Sequence, residues 1–253
     1  MTGHPTFDYE AQPKEFLSRC NLCGATAEPL AVRETRDRYG FPISVTECAC
    51  GLVFLNPRMT AEAYRRFYED GTYRRLVSAY HGREIDAHTI QAEQRVYAEK
   101  LADFLAPHIS ADSVLDVGGS TGVVGRLIAD RFHLAPTILD PAPAELAEAG
   151  EAERVMATIE EWEPGERKWG LILLCQTVDH LLDIWGALKK LRSVLEHGGC
   201  FFVDALNYEV GRTLKIDHPY SLTEATLTKY LRRAGFASVG RRVTETHIGF
   251  VCR

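Results

Sequence analysis

The sequence predicts an α/β protein built on a mostly parallel β-sheet, preceded by a small cysteine-rich module. From residue 113 onward, short apolar runs alternate with amphipathic segments, as strands and helices do when helices cover both faces of a parallel sheet. The last two apolar runs follow each other without a helix between them, which predicts a closing hairpin. Four cysteines lie in two close pairs near the N-terminus.

The composition is that of an ordinary globular protein. The chain has 253 residues, of which 45% are hydrophobic and 25% charged, and its net charge is −6. Nucleic-acid binding in general depends on neutralising phosphates, so an acidic chain argues against a nucleic-acid partner. No apolar run reaches the ~20 residues that cross a bilayer, and no basic segment followed by an apolar one opens the chain. We therefore expect a cytoplasmic protein without a membrane span.

The N-terminal module contains the cysteine pairs Cys20–Cys23 and Cys48–Cys50, each followed by a glycine. In a reducing compartment such pairs favour a metal ion over disulfides. Four thiolates around one ion form a closed, tetrahedral zinc site of the structural kind. A module of roughly 40 residues has too small a core to fold alone, which also favours the metal. The alternative is four reduced cysteines in a small β-module.

The chain divides into three predicted parts. Residues 1–57 form a lead-in and the cysteine module, with the strand-like runs AVRE, ISVTE and LVFLN. Residues 58–106 form a helical connector, which Thr60 caps and Pro107 ends. In residues 107–253 the runs SVLDVG, PTILD, ERVMA, WGLILLCQ and GGCFFVDAL predict strands, and the segments between them predict helices. Ser221 or Thr223 caps the last helix, which precedes the hairpin.

The turn after the first of these strands predicts a ligand site. The strand ends in DVGG at 116–119, where glycines let a ligand approach the backbone and the next helix offers free N–H groups. The second strand ends at Asp140, 22 residues after Gly118, and a carboxylate there suits ribose hydroxyls. A nicotinamide fingerprint needs G-x-G-x-x-G, and the nearest register, from Ser120 to Gly125, lacks its first glycine.

Several of these motifs resemble those of the class I S-adenosylmethionine-dependent methyltransferases. The sequence DVGGSTG at 116–122 resembles their first motif, TILDP their second, and HGGCFFVDAL the turn before their fifth strand. The resemblance covers residues 100–253. It implies a Rossmann-like, seven-stranded, mostly parallel sheet whose last strand inserts antiparallel between its neighbours. The family turn usually reads D-x-G-x-G-x-G, and in this chain Ser120 replaces the middle glycine, where its hydroxyl either bonds the cofactor or crowds it.

This resemblance implies S-adenosyl-L-methionine as the cofactor. Ile159, in the loop after the third strand, is expected against the adenine ring, and Glu160 is expected to accept from the adenine amino group. The loop that begins at Gln176 faces both cofactor and acceptor in the family. The cofactor-binding residues so implied are Asp116, Gly118, Gly119, Ser120, Gly122, Asp140, Ile159, Glu160 and Gln176.

The N-terminal part carries a second resemblance. The stretch CACGLVFLNPRMTAEAYRRFYEDGTYR resembles bacterial methyltransferases in which a zinc ribbon and a helix with paired aromatic residues precede the catalytic domain. The best described of them act on sugars in antibiotic or surface-polysaccharide pathways. The resemblance implies a sugar or nucleotide-sugar acceptor, a role in polysaccharide biosynthesis and a structural zinc ion. The usual second pair is C-x-x-C, whereas this chain has C-x-C.

Methyl transfer to a hydroxyl requires a base near the acceptor. The candidates are His180, which Asp179 could orient, and His218, in the long segment after the fifth strand. Each could instead serve only its loop or a helix cap. We predict O-methylation of a sugar or related small hydroxylated molecule. The alternatives are C-methylation of a keto-sugar, methylation of RNA or protein, a cofactor-binding module without activity, and a nicotinamide enzyme.

Overall fold

The computed structural model describes residues 7–26 and 31–253 of the chain. Its first strands are β1 (Lys14–Glu15), β2 (Ala31–Arg36), β3 (Pro42–Glu47), β4 (Val53–Leu55) and β5 (Arg58–Met59). The later strands are β6 (Ser113–Val117), β7 (Ala135–Leu139), β8 (Glu153–Val155), β9 (Trp169–Cys175), β10 (Leu195–Leu206), β11 (Tyr220–Ser221), β12 (Ser238–Val243) and β13 (His247–Cys252). The helices are α1 (Ala61–Glu69), α2 (Thr72–His81), α3 (Ala87–Leu105), α4 (Val123–Phe132), α5 (Pro143–Leu146), α6 (Ile184–Val194) and α7 (Glu224–Arg233).

The larger sheet has seven strands in the order β12-β13-β10-β9-β6-β7-β8. The five strands from β10 to β8 are parallel, whereas β13 lies antiparallel between β10 and β12. This order confirms the predicted α/β class, the closing hairpin and the antiparallel insertion of the last strand.

Strand β9 shows why the sheet is covered on both faces. Its side chains alternate between two apolar layers, as the two-residue period of a strand requires. Ile172 and Leu174 pack in the layer that contains α6 and α7 residues. Leu171 and Leu173 pack in the opposite layer, which α3 and α4 supply. Because α3 covers this face directly, the connector and the sheet share one core.

The smaller sheet joins strands of the N-terminal part to one strand from the C-terminal part. Strands β2, β3 and β4 are antiparallel neighbours, and β11 pairs antiparallel with β4 on the outer side. Strands β1 and β5 form a separate antiparallel pair. A strand from the C-terminal part thus completes the sheet of the N-terminal part. The division of the chain at residues 57 and 106 stays a prediction.

The helix boundaries follow the capping signals of the sequence. The Thr60 side chain accepts from the Ala63 N–H at the start of α1, and α3 ends at Leu105, before Pro107. Thr223 caps α7 by accepting from the Thr226 N–H. Among residues 7–26 and 31–253, no helix combines the length and the apolar character needed to cross a membrane.

Candidate active site

The turn after β6 places three residues in the left-handed backbone region. Gly118 has φ 69°, Ser120 has φ 52° and Gly122 has φ 73°. A side chain at Gly118 would also bring its Cβ within 2.4 Å of Thr177 Cγ2, so only glycine fits there. Ser120 occupies a backbone conformation that favours glycine. This conformation accounts for the middle glycine that is usual in the D-x-G-x-G-x-G turn.

Asp116 holds this turn against the helix that follows it. Its buried Oδ2 accepts from the Gly125 N–H at 2.9 Å. A Cβ on Gly125 would lie 2.8 Å from the Asp116 side chain, so the close contact requires glycine. Burial raises the pKa of Asp116 to about 7. Asp116, a predicted cofactor-binding residue, therefore fixes the glycine turn to the start of α4.

Asp140 lies beside the same turn, at the end of β7. Its Oδ2 accepts from the Ser120 N–H and its Oδ1 from the Ala142 N–H, both at 2.8 Å. Burial raises the pKa of Asp140 to about 6, although these two N–H groups act in the opposite direction. Glu145 is the neighbouring acid: it accepts from the Ser120 hydroxyl and from Arg74 Nη2 of α2, the latter at 2.6 Å.

A cavity of about 870 Å³ opens at the carboxyl ends of these strands. Such a volume is in the range of small-molecule and cofactor sites. Gly122 lies outside its lining and donates its N–H to Gly119 O at 2.8 Å. The other predicted cofactor residues all line it, together with His180: they are Asp116, Gly118, Gly119, Ser120, Asp140, Ile159, Glu160 and Gln176.

The loop after β8 is fixed by a lysine of α6. Lys190 Nζ donates to the carbonyl oxygens of Ile159, Glu160 and Trp162, at 2.9, 3.0 and 2.6 Å. The Glu160 carboxylate accepts from the Leu182 N–H at 2.8 Å. Sequence reasoning did not single out Lys190, because a lysine on an amphipathic helix gives no signal of the three carbonyls it contacts.

His180 forms part of the cavity wall, in a short turn of 3₁₀ helix after β9. Its Nδ1 lies 2.9 Å from the hydroxyl of Tyr68, on α1. The ring centroids of Tyr68 and Tyr73 lie 6.1 and 5.9 Å from that of His180. Burial and, to a smaller extent, the neighbouring imidazole of His218 lower the pKa of His180 to about 4.

His218 lies behind His180, and the two ring centroids are 4.4 Å apart. His218 Nδ1 is 3.1 Å from Asp179 Oδ2, and its Nε2 is 2.9 Å from Lys215 Nζ. Because an ammonium group can only donate, Nε2 accepts from Lys215 and Nδ1–H donates to Asp179. The acid expected to orient His180 is thus paired with His218 instead.

Two buried carboxylates surround this second histidine. Burial would raise the pKa of Asp179, but the adjacent His218 holds it below its usual range. Asp217 is fully buried, 3.5 Å from His218 Nε2, and neither of its oxygens has a hydrogen-bond partner among the described atoms. Neither Asp179, Asp217 nor His218 lines the cavity, whereas His180 does. The structure therefore places His180 in the cavity wall, as the front histidine, and His218 behind it, as the back histidine.

The cysteines form a second candidate site. Cys20 Sγ is 3.6 Å from Cys50 Sγ, and Cys23 Sγ is 3.5 Å from Cys48 Sγ. All four sulfur atoms lie within 4.8 Å of one another. Zinc–sulfur bonds of about 2.3 Å in a tetrahedron separate the sulfur atoms by about 3.8 Å, so this set fits one zinc ion despite its C-x-C pair.

The fold and the cavity together define the class of the protein. A sheet of this strand order, with a glycine turn after the first strand of the α/β part and an acid after the second, is that of a class I S-adenosylmethionine-dependent methyltransferase. The chain belongs to the methyltransferase-domain family, whose model matches residues 88–240. It is an enzyme that uses S-adenosylmethionine as its methyl donor.

Solved structures share this fold at low sequence identity. The CcbJ methyltransferase from Streptomyces caelestis is 18% identical with a TM-score of 0.53, over 62% of this chain and 94% of that chain. A SAM-dependent methyltransferase from Leishmania major is 18% identical with a TM-score of 0.58, over 75% and 80%. The glycopeptide N-methyltransferase MtfA, complexed with sinefungin, is 13% identical with a TM-score of 0.51, over 62% and 92%. None of the curated proteins matches the chain.

Proposed function

We propose that the enzyme transfers the methyl group to a hydroxyl of a sugar or related small molecule, with His180 as the base. The observation that carries this proposal is the position of His180 in the wall of the cavity that also contains the glycine turn and Asp140. A base must lie within reach of both the acceptor and the methyl donor, and the shared cavity gives His180 that access.

The cofactor would lie across the carboxyl ends of β6, β7 and β8. In this proposal Asp140 accepts from the ribose hydroxyls, the turn at Gly119 and Ser120 faces the amino-acid end, and Ile159 packs against the adenine. S-adenosylmethionine, once bound, supplies an electrophilic methyl carbon. The protein's contribution is to bind, orient and exclude water around the reacting atoms.

His180 is suited to accept a proton. Its Nδ1 faces the Tyr68 hydroxyl, so Nε2 is the nitrogen available to an acceptor. The lowered pKa keeps the ring unprotonated at neutral pH. Nε2 would accept the proton that the acceptor hydroxyl releases when its oxygen takes the methyl group. His218, which Asp179 and Lys215 hold behind the His180 ring, would help to position His180 and would not itself accept the hydroxyl proton.

The aromatic side chains favour a sugar-like acceptor. Tyr68 and Tyr73 lie beside His180, and the hydrogens of a sugar ring pack well on aromatic faces while its hydroxyls need polar partners. MtfA, which shares the fold, is an N-methyltransferase, so an amine acceptor is the principal alternative outcome.

We further propose that Cys20, Cys23, Cys48 and Cys50 hold one structural zinc ion. The sulfur spacing supports this assignment. A four-thiolate site is closed to substrate, so the ion would stabilise the N-terminal sheet and take no part in methyl transfer.

The test is turnover by the metal-replete full-length chain with S-adenosylmethionine and a panel of nucleotide sugars, followed by NMR of the product to locate the new methyl group. His180→Ala should lower kcat by about 10²- to 10⁴-fold, the usual contribution of a general base. Affinity for S-adenosylhomocysteine should be unchanged in this variant. The control is His88→Ala, an exposed histidine of α3. Unchanged kcat in His180→Ala, or methylation at nitrogen or carbon, would contradict the proposal.

A further inference from the structure

Arg58 connects the N-terminal part of the chain to the active-site loops. It lies on β5, at the end of the LNPR sequence, and only 7% of it is exposed. Its Nε donates to Glu15 Oε1 at 2.8 Å, and its Nη1 donates to the carbonyl oxygen of Leu182 at 2.8 Å. The same Nη1 lies 3.1 Å from the Tyr220 hydroxyl.

The Leu182 carbonyl is the point where these contacts meet. It accepts a second hydrogen bond, at 2.9 Å, from the Tyr220 hydroxyl. Leu182 is two residues after His180 in the chain, and Tyr220 is two residues after His218. One carbonyl oxygen therefore ties the loop of the front histidine to the strand that follows the back histidine.

We propose that Arg58 and Tyr220 are positioning residues that hold the His180 loop against the His218 loop. The proposal rests on the proposed role of His180 as the base. A hydrogen bond from a charged guanidinium is stronger and more directional than a neutral one, and two donors on one carbonyl fix the loop in two directions. Misplacing a catalytic group by about 1 Å can cost about 10²-fold in rate, so the geometry of this carbonyl controls turnover.

Arg58 also borders the cavity, which raises a competing role as a contact for an anionic acceptor. Its Nε and Nη1 are already engaged by Glu15, Leu182 and Tyr220, and the Glu15 carboxylate balances its charge. These contacts direct the guanidinium into the protein. The two roles differ in their kinetics: positioning acts on kcat, whereas acceptor binding acts on KM.

The experiment uses Arg58→Gln, Tyr220→Phe and the double variant in the metal-replete full-length chain. Each single variant should lower kcat by about 10- to 100-fold, with the KM for acceptor and the affinity for S-adenosylhomocysteine changed less than about threefold. The double variant should be no slower than the slower single one by more than about twofold, because both side chains act on one carbonyl. The control is Arg66→Gln, an exposed arginine that forms an ion pair with Glu62 of its own helix.

A second readout requires no turnover. In histidine-labelled protein the ¹⁵N signals of His180 and His218 should shift in Arg58→Gln and in Tyr220→Phe, while Arg66→Gln leaves them in place. Tyr220→Phe keeps the buried ring and removes only the hydroxyl, so it tests the contact if Arg58→Gln does not fold. A raised acceptor KM at unchanged kcat, or unshifted histidine signals, would overturn the proposal. If the signals shift but His180→Ala keeps full activity, positioning stands and the assignment of the base fails.

Discussion

Asp140 is a buried carboxylate whose two oxygens already accept hydrogen bonds from backbone N–H groups, one from Ser120 in the turn after β6 and one from Ala142 in the loop after β7. These bonds fix its orientation and leave further lone pairs for a ligand, because a carboxylate offers about four acceptor positions. Its pKa of about 6 is raised mainly by burial. The proposed ribose contact therefore depends on a group that is close to neutralisation at mildly acidic pH.

We expect affinity for S-adenosylhomocysteine to fall as the pH drops below about 6. Because its pKa is raised, Asp140 gains a proton in this pH range. A protonated carboxyl is a poor acceptor of hydrogen bonds from ribose hydroxyls. Calorimetric titration at pH 5 should give about tenfold weaker binding than at pH 7.5, as expected one unit below the pKa.

Asp140→Asn should bind weakly at both pH values, whereas the exposed Asp130→Asn should behave as the unmodified chain does. A pH dependence that persists in Asp140→Asn would assign the titration to another group, such as Asp116, a carboxyl of the cavity lining whose pKa burial raises to about 7.

The loop after β8 shows how one element positions another. Three carbonyl groups of this loop converge on Lys190 Nζ of α6, so the helix sets the shape of the proposed adenine site from outside it. Lys190 is half-buried, which strengthens the bonds from its charged amine. The neighbouring Lys189 is exposed and lies over the Trp185 ring.

Lys190→Met should weaken S-adenosylhomocysteine binding by about tenfold, or about 1.4 kcal/mol. Methionine keeps the apolar stem but leaves three carbonyls without their donor, so the loop loses its fixed shape. Lys189→Met is the matched control and should bind as the unmodified chain does. Equal calorimetric affinities for the two variants would show that the loop holds its shape without Lys190.

The elements of the cofactor side follow from local sequence patterns. Alternating strands and helices place the ends of β6, β7 and β9 at one edge, so Gly118, Asp140 and His180 could be predicted to meet. The contacts of Tyr68 with His180 and of Arg58 with Leu182 could not be predicted, because each joins residues more than 100 positions apart in the chain. The pairing of Asp179 with His218 likewise depends on the path of a long loop, which no local periodicity encodes.

At the scale of the whole molecule, the cysteine site and the active site share a sheet. Cys48 and Cys50 lead directly into β4, and β4 pairs with β11, which follows His218. Pro219 O also accepts from the Leu55 N–H at 2.9 Å. The cofactor residues, by contrast, follow strands of the seven-stranded sheet. Cys20 and Cys48 pack in one apolar layer of that sheet. The opposite layer, which contains Leu171 and Leu173, includes no residue of the cysteine module among those that the structure describes.

Removing the proposed zinc ion should therefore lower turnover more than cofactor binding. After chelation we expect kcat to fall by at least about tenfold, as the histidine loops lose their geometry, while S-adenosylhomocysteine affinity changes less than about threefold. Elemental analysis should give one zinc per chain, lost in Cys48→Ser and retained in Cys200→Ala, a buried cysteine of β10. Loss of cofactor binding together with turnover would show that the N-terminal sheet supports the entire fold.

The pairing of β4 with β11 also has a consequence for how the chain matures. On the ribosome, β4 emerges more than 160 residues before β11, so over that interval its outer edge lacks the strand that later pairs with it. Contacts between such distant segments form slowly, and unpaired strand edges invite association with other chains. The smaller sheet of the nascent protein thus becomes intact only after residue 221 has emerged, and a chain released before residue 220 would expose a strand edge that β11 covers in the folded protein.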